Sequence, residues 1–326
     1  MTNHAKTLDT VLLLALPASG RKSEVRKYLA GLSESQCRDE FRIGPTVQLD
    51  DYPYVHLMRR VDDELAKTSG NRVFFEAPDR CFRDPREWGT LIELINEDHG
   101  DLLAHKTHDP KFAAQWLLER LDAAAAKAGI QPRLSALEAG ARASLARALE
   151  KESRELLAEK NKVSATELAG KTIVIEFARG GAHGLSMPLP EPFGYGYSLG
   201  RLSKPILSKA CILYVWVTPE ESRRKNEERA DPNDPGSILH HGVPLHVMMN
   251  DYGCDDMQWL ETNSRKPGTV EISAHGKTFF PPIARFDNRV DKTSFVRADR
   301  AAWKPDQIRA LHEGLKAAFR GLAQQD

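Results

Sequence analysis

Lys22 and Ser23 follow Gly20 at the end of an apolar run, residues 11–16, and an amine beside a hydroxyl after a small-residue turn suits phosphate chemistry. A phosphate-binding turn needs small residues so that consecutive amides point inward, then a Lys for the terminal phosphates and a hydroxyl for Mg²⁺. Ala18, Ser19 and Gly20 supply the small residues, Ala15 stands where the first glycine of such a turn would be, and Arg21 separates Gly20 from the Lys22-Ser23 pair. Two registers follow. In one, the helix begins a residue late and Lys22 and Ser23 keep the amine and hydroxyl roles. In the other, Arg21 takes the amine position and Lys22 the hydroxyl position. The first preserves a metal ligand in Ser23 and is preferred.

Acids and guanidinium groups recur at the ends of the later apolar runs. Asp50 and Asp51 close the segment 46–49, and side chains that alternate along a strand send the two carboxylates to different sides. One then faces substrate while the other caps Tyr52 or holds water. Glu176 ends the run 172–175, with Arg179 three residues on, a spacing that suits either a phosphate contact or an internal ion pair. Arg223, Arg224 and Arg229 lie in a charged segment with Glu220, Glu221, Glu227 and Glu228, so they are either oxyanion contacts or members of a self-paired helix. His240, His241 and His246, with Cys254, Asp255 and Asp256, lack the spacing of zinc ligands.

These groups need a scaffold that gathers strand ends. Residues 11–16, 172–177 and 212–217 have the dense apolar, β-branched character of strands buried on both faces. Residues 23–32 are predicted to form the helix that receives phosphate at its N-terminus. Short extended segments are predicted at 46–49 and 71–76, and a final strand over 278–286, interrupted or bounded by Pro281-Pro282. Between about 109 and 159, Ala, Leu, Lys, Arg and Glu dominate, and Pro132 separates at least two amphipathic helices. A charged helix is expected over 219–229, a loop over 231–236 and a closing amphipathic helix over 304–322. Gly180-Gly181 gives freedom for a strand-to-loop transition, and Pro188 to Gly196 is too constrained for a long helix. Strands alternating with helices favour a mostly parallel α/β sheet with its binding edge beyond the strands' carboxyl ends.

Composition bounds the function. The chain of 326 residues balances 46 basic against 46 acidic side chains, so no net positive field favours general nucleic-acid or anionic-lipid binding. Its four cysteines are scattered and form no paired metal motif, which predicts a reducing, cytoplasmic setting. The apolar run at 11–16 is too short to span a membrane, and the first four residues lack the basic segment of a secretory signal.

Residues 16–23, Asp50-Asp51-Tyr52, residues 173–180, Arg223-Arg224 and Phe286-Asp287-Asn288 together resemble the P-loop nucleoside and nucleotide kinase-like NTPases, with an atypical Walker A loop. The resemblance implies a mostly parallel P-loop sheet flanked by helices and carrying a helical insertion. Its parts would be 8–108 as the N-terminal part of the core, 109–165 as the helical insertion or lid, and 166–326 as the rest of the core. It also implies ATP or GTP as donor and Mg²⁺ as metal. The residues 18–23 then hold the nucleotide, and Ser23 and Glu176, the latter Walker B-like, face the metal. Asp50 or Asp51 orients an acceptor hydroxyl, Arg179, Arg223 and Arg224 are phosphate contacts, and Asp287-Asn288 faces the base. The expected activity is ATP-dependent phosphotransfer to an unidentified small-molecule acceptor, with a protein partner allowed. Alternatives are a P-loop ATPase acting as a conformational switch and a catalytically degenerate nucleotide-binding module.

Overall fold

A computed structural model of the chain describes residues 7–19, 24–229 and 242–323. The chain runs β1 (Thr10–Leu14), α1 (Arg26–Ala30), α2 (Glu34–Phe41), β2 (Thr46–Asp50), α3 (Tyr52–Ser69), α4 (Glu87–Leu103), α5 (Ala113–Lys127) and α6 (Ala139–Ser164). It continues with β3 (Thr172–Phe177), α7 (Gly194–Gly200), α8 (Lys204–Leu207), β4 (Ala210–Trp216), α9 (Pro219–Arg229), α10 (Leu245–Asn250), α11 (Met257–Thr262), β5 (Ile272–Ala274), β6 (Lys277–Phe279), β7 (Ile283–Asp287) and α12 (Pro305–Ala323).

The protein is α/β: five strands form one sheet in the order β2-β3-β1-β4-β7, and every pairing in it is parallel. β1 and β3 are buried at every position, which is why their sequences are apolar without alternation. Successive side chains serve opposite faces. Leu12, Leu14, Ile175, Phe177 and Ile212 join the core under α4, α7 and α8, whereas Val11, Leu13, Val174, Leu213 and Phe286 join the core under α1, α2 and α12.

β1 and β4 are neighbours that leave the sheet in opposite directions. From β1 the chain crosses to β2 through α1 and α2, and from β4 it goes to β7 by the other face. Their carboxyl ends therefore flank a switch point, where an open α/β sheet leaves a crevice.

α5 and α6 are the two helices separated around Pro132, and they share a third apolar core with α3 and α4. The segment 71–76 forms only an isolated bridge, Phe75 to Phe82. The expected single strand over 278–286 is two elements: β6 pairs with β5 in a hairpin, and β7 belongs to the large sheet. Pro281 lies between them, and its carbonyl accepts from the Val270 amide. Gly180 is required for close approach: a Cβ there would lie 2.4 Å from the Cys254 carbonyl oxygen. Among the described residues, no helix is long and apolar enough to cross a membrane.

Candidate active site

Residues 20–23, with Gly20, Arg21, Lys22 and Ser23, lie outside the described residues, as do His240 and His241. The turn that leads to them is defined up to Ser19. β1 ends at Leu14, and Ala15, Leu16, Ala18 and Ser19 are all buried. Ala18 takes a left-handed backbone with φ 55°, unfavourable for a residue with a Cβ. Left-handed residues of this kind turn neighbouring amides into an anion-binding concavity. The carbonyls on either side are each held by a side chain. Ser222 Oγ donates to the Pro17 carbonyl at 2.6 Å, and Asn288 Nδ2 donates to the Ser19 carbonyl at 2.8 Å. Ser19 Oγ is buried and has no hydrogen-bond partner among the described residues.

Glu176 occupies the β3 position beside Leu13 of β1 and Asp50 of β2. In-register neighbours in a parallel sheet share a face and sit about 4.8 Å apart, so the two carboxylates stand side by side at the carboxyl edge. Glu176 is 1% exposed, and Arg26, in the first turn of α1, approaches its Oε1 at 3.7 Å. Asp50 Oδ1 accepts from the Tyr52 amide at 2.8 Å, fixing the chain where β2 turns into α3.

Asp51 points the other way and meets Arg179. Arg179 Nη1 lies 2.7 Å from Asp51 Oδ2, and the same guanidinium donates to Ser198 Oγ at 2.9 Å and to the Ala178 carbonyl at 2.6 Å. It stacks over Trp88 at 4.8 Å and is 1% exposed. The pair thus joins β2, β3, α4 and α7 inside the protein, and the ion-pair partner of Arg179 is Asp51 rather than Glu176, three residues before it.

Arg223 pairs with Glu220 at 3.1 Å, and Arg224 pairs with Glu221 at 2.6 Å and with Glu228. The contact of α9 with the turn comes from its other side. Ser222, Lys225 and Asn226 are buried, and Lys225 Nζ pairs with Asp291 at 2.8 Å. This pairing holds the Asp291 carboxyl far below the usual range against its burial.

Asp287 and Asn288 diverge. Asp287 binds Arg289 at 2.8 Å, which holds its carboxyl down at about 2. Asn288 is 0% exposed and turns inward to Ser19 and to Thr293 Oγ1 at 3.0 Å.

A cavity of about 1150 Å³ opens beside these groups, lined by Ser19, Arg26, Asp50, Asp51 and the Tyr52, Val55, His56 and Arg59 face of α3. Its far wall carries Cys81 and Asp251. Cys81 Sγ lies 3.7 Å from His246 Nδ1, and burial with the nearby Asp251 carboxylate pushes the thiol up to about 12, so it stays protonated. Burial likewise raises Asp251 to about 6.

Sequence reading stopped at Tyr52 and missed this wall. The spacing of Tyr52, Val55, His56 and Arg59 by three and four residues marks one helix face and was the available signal. Among the described residues, no cluster of three or more His, Cys, Asp or Glu is arranged to hold a metal ion. A single buried carboxylate such as Glu176 still fits Mg²⁺, which keeps several waters and is bound through one or two carboxylates plus substrate phosphates. In comparisons with protein-family models, curated proteins and solved structures, none matches this chain.

Proposed function

We propose that the protein is an ATP- or GTP-dependent, Mg²⁺-assisted phosphotransferase of the P-loop kinase-like kind, acting on a small-molecule acceptor. The observation that carries the proposal is the juxtaposition at the sheet edge. The central strand β1 runs into the Leu16-to-Ser19 turn, and Glu176 and Asp50 follow side by side on the next two strands, beside a cavity large enough for a metabolite.

Holding donor and acceptor in line and compensating phosphate charge is most of the catalytic task in such reactions. The amides of the turn and Lys22 bind the donor phosphates. Glu176 and Ser23 hold the Mg²⁺ shell, which supplies charge compensation. Asp50 accepts the hydroxyl proton of the acceptor. Arg179 keeps Asp51, and with it the start of α3, in place. The helices α5 and α6 fit the role of a helical insertion between β2 and β3.

The test is Lys22→Ala. MgATP-dependent turnover should fall sharply while the thermal unfolding midpoint stays close to wild type; undiminished turnover in the folded variant refutes the assignment.

A further inference from the structure

One face of α3 ends in a cation, Arg59, that forms no direct ion pair among the described residues. Tyr52, Val55, His56 and Arg59 all line the cavity, and seven residues of helix at 1.5 Å each put Arg59 about 10 Å from Tyr52, whose amide is bound to Asp50. The Arg59 guanidinium carbon lies over the Phe75 ring, 4.0 Å from its centre, and Nη1 donates to the Pro78 carbonyl at 2.7 Å.

No carboxylate among the described residues ion-pairs with Arg59, although the neighbouring cations are matched. Arg60 meets Glu64 at 2.9 Å and Glu152 at 3.1 Å, and Arg72 meets Asp63 at 3.0 Å. Of the other acids whose charge reaches Arg59, Asp62 is occupied by the amides of Val73, Phe74 and Phe75, and Asp251 lines the same cavity without pairing directly with it. A guanidinium has five donors, and the hydrogen bond of Arg59 to Pro78 leaves donors for a ligand in the cavity that it lines. Its planar fork matches a carboxylate or phosphate.

We infer that the acceptor carries an oxyanion, a carboxylate or a phosphate monoester, which Arg59 binds at the end of the cavity about 10 Å from the Asp50 end. The inference rests on the phosphotransferase proposal. Asp50 faces the hydroxyl that is phosphorylated and Arg59 fixes the other end of the molecule.

The experiment separates a cellular metabolite extract by anion exchange into anionic and neutral pools. Each pool is incubated with MgATP and full-length protein, and the phosphorylated product is followed by mass spectrometry. MgATP binding is measured separately by calorimetry. Product is expected from the anionic pool, with KM at least about tenfold higher in Arg59→Gln, equivalent to one lost contact of about 1.4 kcal/mol. MgATP affinity should not change, and Arg59→Lys should be intermediate.

Phosphatase treatment of the anionic pool beforehand abolishes the product if the oxyanion is a phosphate monoester and spares it if it is a carboxylate. Product from the neutral pool alone, or an unchanged KM in Arg59→Gln, overturns the inference and leaves phosphotransfer standing. MgATP binding with no product from either pool overturns both, and absence of MgATP binding in the wild type overturns the nucleotide assignment itself. Should Arg59→Gln unfold, Arg59→Lys carries the comparison.

Discussion

Asn288 Nδ2 donates a 2.8 Å hydrogen bond to the Ser19 carbonyl, tying the loop after the last strand of the sheet to the turn after the first. Ser222 does the same for Pro17 from α9. In a trans peptide the carbonyl and the following amide point in opposite directions. Fixing the Pro17 carbonyl therefore also fixes the direction of the Ala18 amide, and the left-handed backbone at Ala18 is held by its surroundings.

Removing either brace should loosen the turn before it unfolds the protein. Ser222→Ala and Asn288→Ala are each expected to cost roughly 1–3 kcal/mol of stability, the penalty for a buried polar group left unpaired. They should also weaken MgATP binding by about tenfold. Denaturant titration and calorimetry measure the two effects separately. Unchanged affinity in both variants would show that the braces do not shape the turn.

The Arg179–Asp51 pair should behave as a structural element. Arg179→Met strands a buried carboxylate and Asp51→Asn strands a buried guanidinium, and each should lower stability by about 3–5 kcal/mol. The double variant should lose less than the sum, because each single change already breaks the same contact. Additive losses in urea unfolding would contradict a direct pairing.

The apolar strands were legible because burial on both faces leaves little room for other residues, as residues 11–16 and 172–177 illustrate. The charged helix over 219–229 was legible from its Pro start and early acids. Its role was less so: charge density drew attention to Arg223 and Arg224, while the contact with the turn uses Ser222, hidden among Glu and Arg. Arg179 and Asp51 lie 128 residues apart, and only the adjacency of β2 and β3 brings them together. Asn288 was noted as a nucleotide contact, but nothing local reveals that its amide points to Ser19. The hairpin of β5 and β6 escaped notice because three-residue strands carry almost no periodicity.

Acid conditions should reveal a second buried carboxyl besides Asp251. Burial raises Asp255 to about 6, as it does Asp251, against an unfolded value near 3.9. The folded state thus holds these protons more tightly. The stability they contribute is complete below about pH 4 and is lost as pH rises to about 6. Asp287, held down at about 2, acts in the opposite sense and only below pH 4. Asp255→Asn preserves the shape of the group, and the Tyr214 hydroxyl, which donates to Asp255 at 2.7 Å, can turn to accept from the carboxamide. Between pH 4 and 6 the variant should lose stability less steeply than wild type in pH-dependent urea unfolding. Parallel curves would contradict the assignment.

Glu176→Gln tests the metal-facing role. The amide is nearly isosteric, so folding should persist, but Mg²⁺-dependent turnover should fall at least about a hundredfold, the scale of losing one preorganised electrostatic contact. Full activity in the variant would remove Glu176 from the chemistry.

The most direct measurement is phosphorus NMR of the purified protein with MgATP and a cellular metabolite extract. Phosphotransfer predicts loss of the γ-phosphate signal with growth of a new phosphorylated-metabolite resonance that is absent without extract or with Lys22→Ala. An unchanged ATP spectrum, or inorganic phosphate as the sole product, would contradict it.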